Sequence, residues 1–368
     1  MRIGITCYPT YGGSGIVATE LGMELAARGH EVHFITYANP IRLDPAMENV
    51  FYHEVEVSTY PLFQHPPYVL ALASRMAEVA EWRSLDLLHV HYAIPHSVAA
   101  MLARQMTARQ RRLPYVTTLH GTDITIVGAD HSYFGITKYS IEESDGVTSI
   151  SEYLKAETNA VFGVEREIEV IPNFVNCSQY QPAMQPHGGR PRLLHIANFR
   201  AVKRVTDCIR ILAKVRQHVD AELWMAGDGP ERSGAESLAH ELGIDCNVKF
   251  LGKQDRIREI LPQADVLLLP SQLESFGLVA LEAMACGVIP VATNVGGLPE
   301  VVTHGKDGFL EAVGDVDAHA ARVVEILSNS MVKGRMAASA RGTAETRFCT
   351  TRVIPAYEAH YKRILDQV

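Results

Sequence analysis

Short apolar runs alternate with amphipathic stretches along almost the whole chain. The runs at 3–8, 32–36, 87–90, 115–119, 147–150 and 168–171 are nearly continuous and rich in Ile, Val and Leu. Continuous rather than alternating runs of this length predict strands buried on both faces, as in a parallel sheet. Between most of them lie stretches with apolar residues at helical spacing, such as 17–27, 69–81 and 98–110. The run 50–57 alternates more, which predicts an edge strand. From 172 to 191 the periodicity lapses into Pro, Gly, Gln and Asn, the composition of a linker. A second series follows at 193–196, 222–226, 248–251, 266–269, 289–292 and 309–310, again with helical segments between. Two successive βα series predict an α/β protein of two doubly wound, Rossmann-like domains facing each other across a cleft. The boundaries fall at 1–172 for the first domain, 173–190 for the linker and 191–349 for the second. No strand follows residue 331, and a final helix at 350–368 is expected to pack back on the first domain.

Composition narrows the classes. A chain of 368 residues, 47% hydrophobic and 21% charged, has ample material for two cores. A formal charge of -8 argues against a general nucleic-acid binder. No apolar run approaches the ~20 residues needed to span a bilayer. A strand beginning at residue 2 leaves no room for a leader, which predicts a cytoplasmic protein. Cys7, Cys177, Cys208, Cys246, Cys286 and Cys349 show no paired spacing, as expected of reduced thiols.

The stretch 274–282 carries the most chemistry. Glu274 and Glu282 bracket Ser275, Phe276, Gly277 and Leu278, where a strand has ended and a helix begins. The first backbone N–H groups of that helix lack intrahelical partners and suit an anion. A carboxylate there, with Glu282 about two helical turns further on, is better explained by a polyhydroxylated ligand, because carboxylates accept from hydroxyls. Phosphate together with hydroxyls suggests a nucleotide sugar. The second series opens with Asn198, Arg200 and Lys203 after a strand end. Cations at a helix N-terminus oppose the macrodipole, so they predict an anion such as pyrophosphate; solvated loop charges are the alternative. Arg204 and Arg210 are assigned to the solvated face. Gln254, beside Gly252, carries the donor and acceptor that a pyrimidine edge requires, or is an exposed loop amide.

In the first series, Gly13, Ser14 and Gly15 satisfy a loose dinucleotide fingerprint. The acidic residue that should end the second strand is missing from 35–39, which weighs against a nicotinamide-dependent oxidoreductase. Close approach of a diphosphate or acceptor is favoured over a ligand-free turn. Tyr92, Thr118, His120 and Thr122 follow or end strands and are candidates for an acceptor rim. His89, His91 and His96 have no Cys or carboxylate at ligand spacing, so no metal is expected. The basic run Arg104, Arg109, Arg111 and Arg112 reads as a solvated helix end in preference to an anionic-lipid patch.

With these residues assembled, the chain resembles retaining glycosyltransferases of the GT-B fold from end to end. The match rests on Glu274 and Glu282 with Ser275, Phe276 and Gly277 between them, on Arg200 and Lys203, and on Gly12, Gly13, Ser14 and Gly15. The stretches 4–9, 53–57, 117–123 and 198–205 look most like the branch that glycosylates L-malate at the start of bacillithiol biosynthesis. The resemblance implies transfer of GlcNAc from UDP-GlcNAc to the hydroxyl of L-malate with the α configuration kept. It implies no metal or other cofactor, since protein cations and helix N-termini bind the leaving diphosphate. Arg200 and Lys203 would hold that diphosphate, Glu274 the sugar hydroxyls and Glu282 the ribose. Asn198 and Gln254 would touch the sugar or uridine, and Gly13, Ser14, Phe276, Gly277 and Leu278 complete the expected donor site. Ser14, Tyr92 and Thr118 would line the acceptor side, joined by Thr122 from the same rim; Lys138 is a candidate for the malate carboxylates or, beside Glu142 and Glu143, an ordinary surface cation. His120 joins Lys203, Arg200 and Glu274 as a candidate catalytic residue. Arg200 and Lys203 stand closer together than in many relatives, which implies a shorter loop. No side chain looks like a nucleophile, so front-face substitution is expected, with a phosphate oxygen taking the proton. The residues alone leave other acceptors open, such as an inositol phosphate or a lipid, and the resemblance leaves a homodimer open.

Overall fold

The structure, a computed structural model, describes residues 1–10, 12–44, 46–58, 60–108, 111–184 and 188–367. Tyr11 of the glycine turn and Arg109 of the basic run lie outside the described residues. The chain divides into two compact units, Met1–Asn173 with Thr351–Val368, and Phe174–Thr350.

The first unit is built on a seven-stranded parallel sheet. Its strands are β1 (Arg2–Thr6), β2 (Glu31–Thr36), β3 (Val50–Glu54), β4 (Leu87–His91), β5 (Tyr115–Leu119), β6 (Gly146–Ser149) and β7 (Ile168–Val170). Their order is β3-β2-β1-β4-β5-β6-β7. Ile3, Ile5, Val32, Phe34, Leu87, Leu88, Val90 and Val116 are all fully buried, which is why these runs are apolar on both faces. The alternating run at 50–57 is the edge strand β3, ending at Glu54. The helix Thr350–Leu365 is fastened largely to this sheet and its neighbours. Tyr361 Oη lies 2.7 Å from His89 Nδ1, Arg28 grips Glu358 with two hydrogen bonds of 2.9 and 2.7 Å, and His360 lies 2.6 Å from Glu169.

The second unit carries a six-stranded parallel sheet. Its strands are β8 (Arg192–Ile196), β9 (Glu222–Ala226), β10 (Val248–Gly252), β11 (Val266–Leu269), β12 (Ile289–Thr293) and β13 (Phe309–Glu311), ordered β10-β9-β8-β11-β12-β13. The helix Val205–Val215 packs Ile209, Leu212 and Val215 against Leu193, Leu223 and Val266 in the core. Each such side chain, fully buried, contributes about 1.5–3 kcal/mol. The α/β class with two doubly wound units is therefore observed, and every strand predicted from the continuous apolar runs is present.

In the basic run Arg111 and Arg112 are exposed, as a solvated helix end requires, whereas Arg104 is half-buried. Arg104 donates to Glu143 at 2.8 Å, Arg112 to Asp145 at 2.5 Å and Arg111 to the carbonyls of Ala80 and Leu85. These guanidiniums tie the end of the helix Val98–Thr107 and the chain before β5 to neighbouring elements. All six cysteines are free thiols. Among the described residues, no helix is long and apolar enough to cross a membrane.

Candidate active site

In each unit the strand order reverses beside the first strand of the series, and loops leaving that point diverge to make a crevice. In the second unit the reversal lies between β8 and β11, paired in register although about 70 residues separate them. The segment after β8 forms a short 3-10 turn, Ala201–Lys203, then Arg204 at φ 49 before the next helix. The segment after β11 leads to the helix Leu278–Ala285. Gln272 N–H donates to Val202 O at 2.8 Å, joining the two segments through the backbone.

That juncture brings Lys203 to Glu274. The ammonium nitrogen lies 2.5 Å from Glu274 Oε1, and Ser271 Oγ donates to the same oxygen at 2.9 Å. Their side chains are 24% and 15% exposed, so the pair is partly shielded yet reachable. An ammonium has three N–H donors, of which one engages Glu274. His195, buried on β8, donates from Nδ1 to Leu268 O at 2.9 Å. Burial, above all, pushes its pKa down to about 4, with Lys203 adding to the effect, so it is neutral at physiological pH.

The helix Leu278–Ala285 starts after Gly277, whose φ of 95 lies in the left-handed region. The segment is braced from β12: Gly297 N–H donates to Glu274 O at 2.9 Å, and a Cβ on Gly297 would stand 2.3 Å from Ser275 O. Only glycine permits that approach. Phe276 is buried edge-on against Phe348, with ring centroids 5.8 Å apart, so its side chain anchors the loop. Leu278 is half-buried at the helix start. Glu282 is the fifth helical residue, little more than one turn in where two were expected, and its buried carboxylate accepts a 2.5 Å hydrogen bond from Tyr180 Oη.

The remaining donor candidates differ in freedom. Arg200 and Asn198 are exposed, and the Arg200 guanidinium makes no ion pair among the described residues. Gln254 is half-buried and donates its amide to Leu251 O, leaving its oxygen as the available group. Arg210 is exposed, as assigned, and Arg204 is half-buried. Both donate to Asp207, at 2.6 and 2.8 Å, because that carboxylate is buried at the start of its helix.

In the first unit the reversal lies between β1 and β4. The segment after β1 enters the helix Gly13–Ala27, with Gly13 exposed and Ser14 half-buried at its start. A Cβ on Gly15 would stand 2.3 Å from Tyr8 O, so the helix start rests directly on backbone. Tyr8 meets Tyr92 edge-on at 5.2 Å, and Tyr92, at φ 95, stacks on His120 at 5.5 Å. His120 Nε2 lies 2.9 Å from His91 Nδ1. Burial drives His120 down to about 3, which makes it a neutral hydrogen-bonding imidazole at working pH. Thr122 is exposed at the start of the short helix Thr122–Thr125. Asp123, missed by the sequence reading, is buried and accepts from Ala93 N at 2.9 Å, Gly121 N at 2.8 Å and His120 N at 3.1 Å. It therefore holds the turn after β4 against the turn after β5.

Two acceptor candidates are not on that rim. Thr118 is fully buried one residue short of the end of β5. Its hydroxyl bonds His89 Nε2 at 2.7 Å and Thr148 Oγ1 at 2.6 Å, in the network that reaches Tyr361 of the final helix. Lys138 donates to Gly163 O at 3.1 Å, at the C-terminal end of the helix Glu152–Phe162. Helix C-terminal carbonyls lack intrahelical donors and attract cations. That end leads into β7 and so lies at the edge where strands begin, opposite Tyr92 and His120. Ser271 and Tyr180 were also missed; Tyr180 lies in the aperiodic segment read as linker, where nothing marks one residue above another. Among the described residues, no group of three or more His, Cys, Asp or Glu side chains is placed to hold a metal ion.

Residues 179–343 match the family model for glycosyl transferases group 1, and residues 11–179 match that for glycosyltransferase family 4. The chain is 46% identical to N-acetyl-alpha-D-glucosaminyl L-malate synthase of Bacillus anthracis, over 99% of this chain and 97% of that one. Sucrose-phosphate synthase of Thermosynechococcus elongatus superposes with a TM-score of 0.80 at 22% identity, covering 100% of both chains. Anabaena HepE in complex with UDP and glucose superposes with a TM-score of 0.81 at 18% identity, covering 98% of this chain and 99% of that one. Both solved structures share the fold.

Proposed function

Since the chain belongs to the GT-B glycosyltransferases, we propose that it transfers N-acetylglucosamine from UDP-GlcNAc to the hydroxyl of L-malate, keeping the α configuration. One observation carries the acceptor: the likeness to a named L-malate synthase extends over 99% of the chain, through both units. In this reading the malate hydroxyl oxygen bonds to the anomeric carbon as the bond from that carbon to the UDP oxygen breaks, on the same face. The hydroxyl proton passes to an oxygen of the departing diphosphate. No side chain then acts as nucleophile, and catalysis consists of positioning and of stabilising the charge that develops on UDP.

The residues divide by role. Lys203 and Arg200 face the diphosphate, with the N–H groups that open the helix Leu278–Ala285. Glu274 takes the sugar hydroxyls while orienting Lys203, and Glu282 takes the ribose. Asn198 and the free oxygen of Gln254 serve the sugar or uridine. Ser14, Tyr92, Thr122 and neutral His120 serve the acceptor side. The reaction calls for no metal, because two cations and a helix N-terminus supply the positive potential. The test is direct. Purified protein incubated with UDP-GlcNAc and L-malate should yield UDP and a product of the mass of GlcNAc-malate, with an α-anomeric coupling by NMR. A β product, or equal turnover with malate withheld, would refute the proposal.

A further inference from the structure

Glu282 is 5% exposed, and a carboxylate so placed needs a donor that keeps it ionised and pointed one way. Tyr180, which is 1% exposed, supplies a hydrogen bond of 2.5 Å to Oε1. A carboxylate oxygen accepts, so the phenol donates, at a length typical of strong charge-assisted O–H···O⁻ bonds. Tyr180 is itself held at two further points. Arg258 lies over its ring at 5.3 Å, and Arg341 donates to its carbonyl at 2.5 Å. Arg341 also donates to the carbonyls of Cys177, at 3.0 Å, and of Ala285, the last residue of the Glu282 helix. One guanidinium thus ties the chain around Tyr180 to the helix that carries Glu282. Mere filling of a core would be served equally by phenylalanine; the hydroxyl has no packing role.

We propose that Tyr180 is the positioning residue for the donor's ribose: its phenol fixes the Glu282 carboxylate so that ribose hydroxyls meet it ready-oriented. This rests on the reading of Glu282 as the ribose ligand. Calorimetric titration of the full-length protein with UDP and with 2′,3′-dideoxy-UDP tests both. Wild type should bind UDP more tightly than the dideoxy analogue; equal affinities would defeat the ribose reading itself. Tyr180→Phe should weaken UDP about ten-fold or more and leave dideoxy-UDP within about two-fold. Equal weakening of both ligands would reduce Tyr180 to a packing role, and unchanged UDP affinity would exclude it as a positioning residue. Either result overturns the proposal. Glu282→Gln, which should also lose the preference for UDP over its dideoxy analogue, serves as the reference for complete loss.

Discussion

Replacing Lys203 by alanine separates what the ion pair does for stability from what it does for turnover. The ammonium sits 2.5 Å from Glu274 Oε1, with the two side chains 24% and 15% exposed. Exposed pairs contribute about 0–1 kcal/mol, whereas breaking a fully buried pair costs about 3–5 kcal/mol. Partial burial puts Lys203→Ala between them, at about 1–2 kcal/mol of lost stability, since Ser271 still donates to the stranded carboxylate. The catalytic loss should be larger. Removing one group that faces charge developing in a transition state costs about 2.7–4 kcal/mol, or about a hundred- to a thousand-fold in kcat. The double variant Lys203→Ala with Glu274→Ala should recover part of the stability, because no unpaired charge is left, and none of the turnover. Urea unfolding midpoints and steady-state kinetics at saturating UDP-GlcNAc and malate measure both quantities. If Lys203→Ala keeps kcat within about three-fold of wild type, the cation does not face the leaving group and the mechanistic reading is wrong.

Gly297→Ala should cut activity about ten-fold or more while the protein stays folded, because the added Cβ would press to 2.3 Å of Ser275 O and displace the Glu274 loop; unchanged KM for UDP-GlcNAc and unchanged kcat would show that the loop tolerates the shift. Lys138→Ala should leave the malate KM within about two-fold, since that ammonium serves the Gly163 carbonyl; a large rise would return Lys138 to the acceptor site. Acid should weaken the first unit before the second. Burial holds His53 and His96 near 4 and His120 near 3 there, against His195 near 4 in the second unit. Unfolded histidine titrates near 6.5, so below that pH the unfolded chain binds protons that the folded one refuses. Stability is then complete above about 6.5 and falls towards 4, by about 1.4 kcal/mol per pH unit for each such imidazole. Opening free energies from hydrogen exchange, corrected for the slower intrinsic exchange at lower pH, should fall more in β4 and β5 than in β8 and β11 between pH 7 and pH 5; an equal fall would refute the assignment.

The legibility of the chain follows from the range of the physics involved. Strands buried on both faces are local apolar runs, so β1, β4, β5, β8 and β11 could be found without knowing their neighbours. The Lys203–Glu274 contact could not, because it depends on β8 pairing with β11, a non-local fact of sheet order. Thr118 and His120 are both polar residues at one strand end, yet one is buried in the hydrogen-bond network that reaches Tyr361 and the other stacks on Tyr92. What separates them is a helix that arrives more than 230 residues later in the chain. Lys138 misled for a related reason: a lone cation on a helix says nothing about which end of the sheet its side chain reaches. Tyr180 was invisible because its meaning lies in a partner 102 residues away.

The return of the last helix to the first unit has a consequence for biosynthesis. The second unit is one uninterrupted segment, Phe174–Thr350, whereas the first is completed only by Thr351–Val368. A ribosome therefore releases all the parts of the inner module before it releases the closing piece of the outer one. During translation the N-terminal sheet must wait with the His89 and Thr118 face uncovered while more than 170 further residues emerge. Removing residues 351–368 would then injure the half of the protein that was made first.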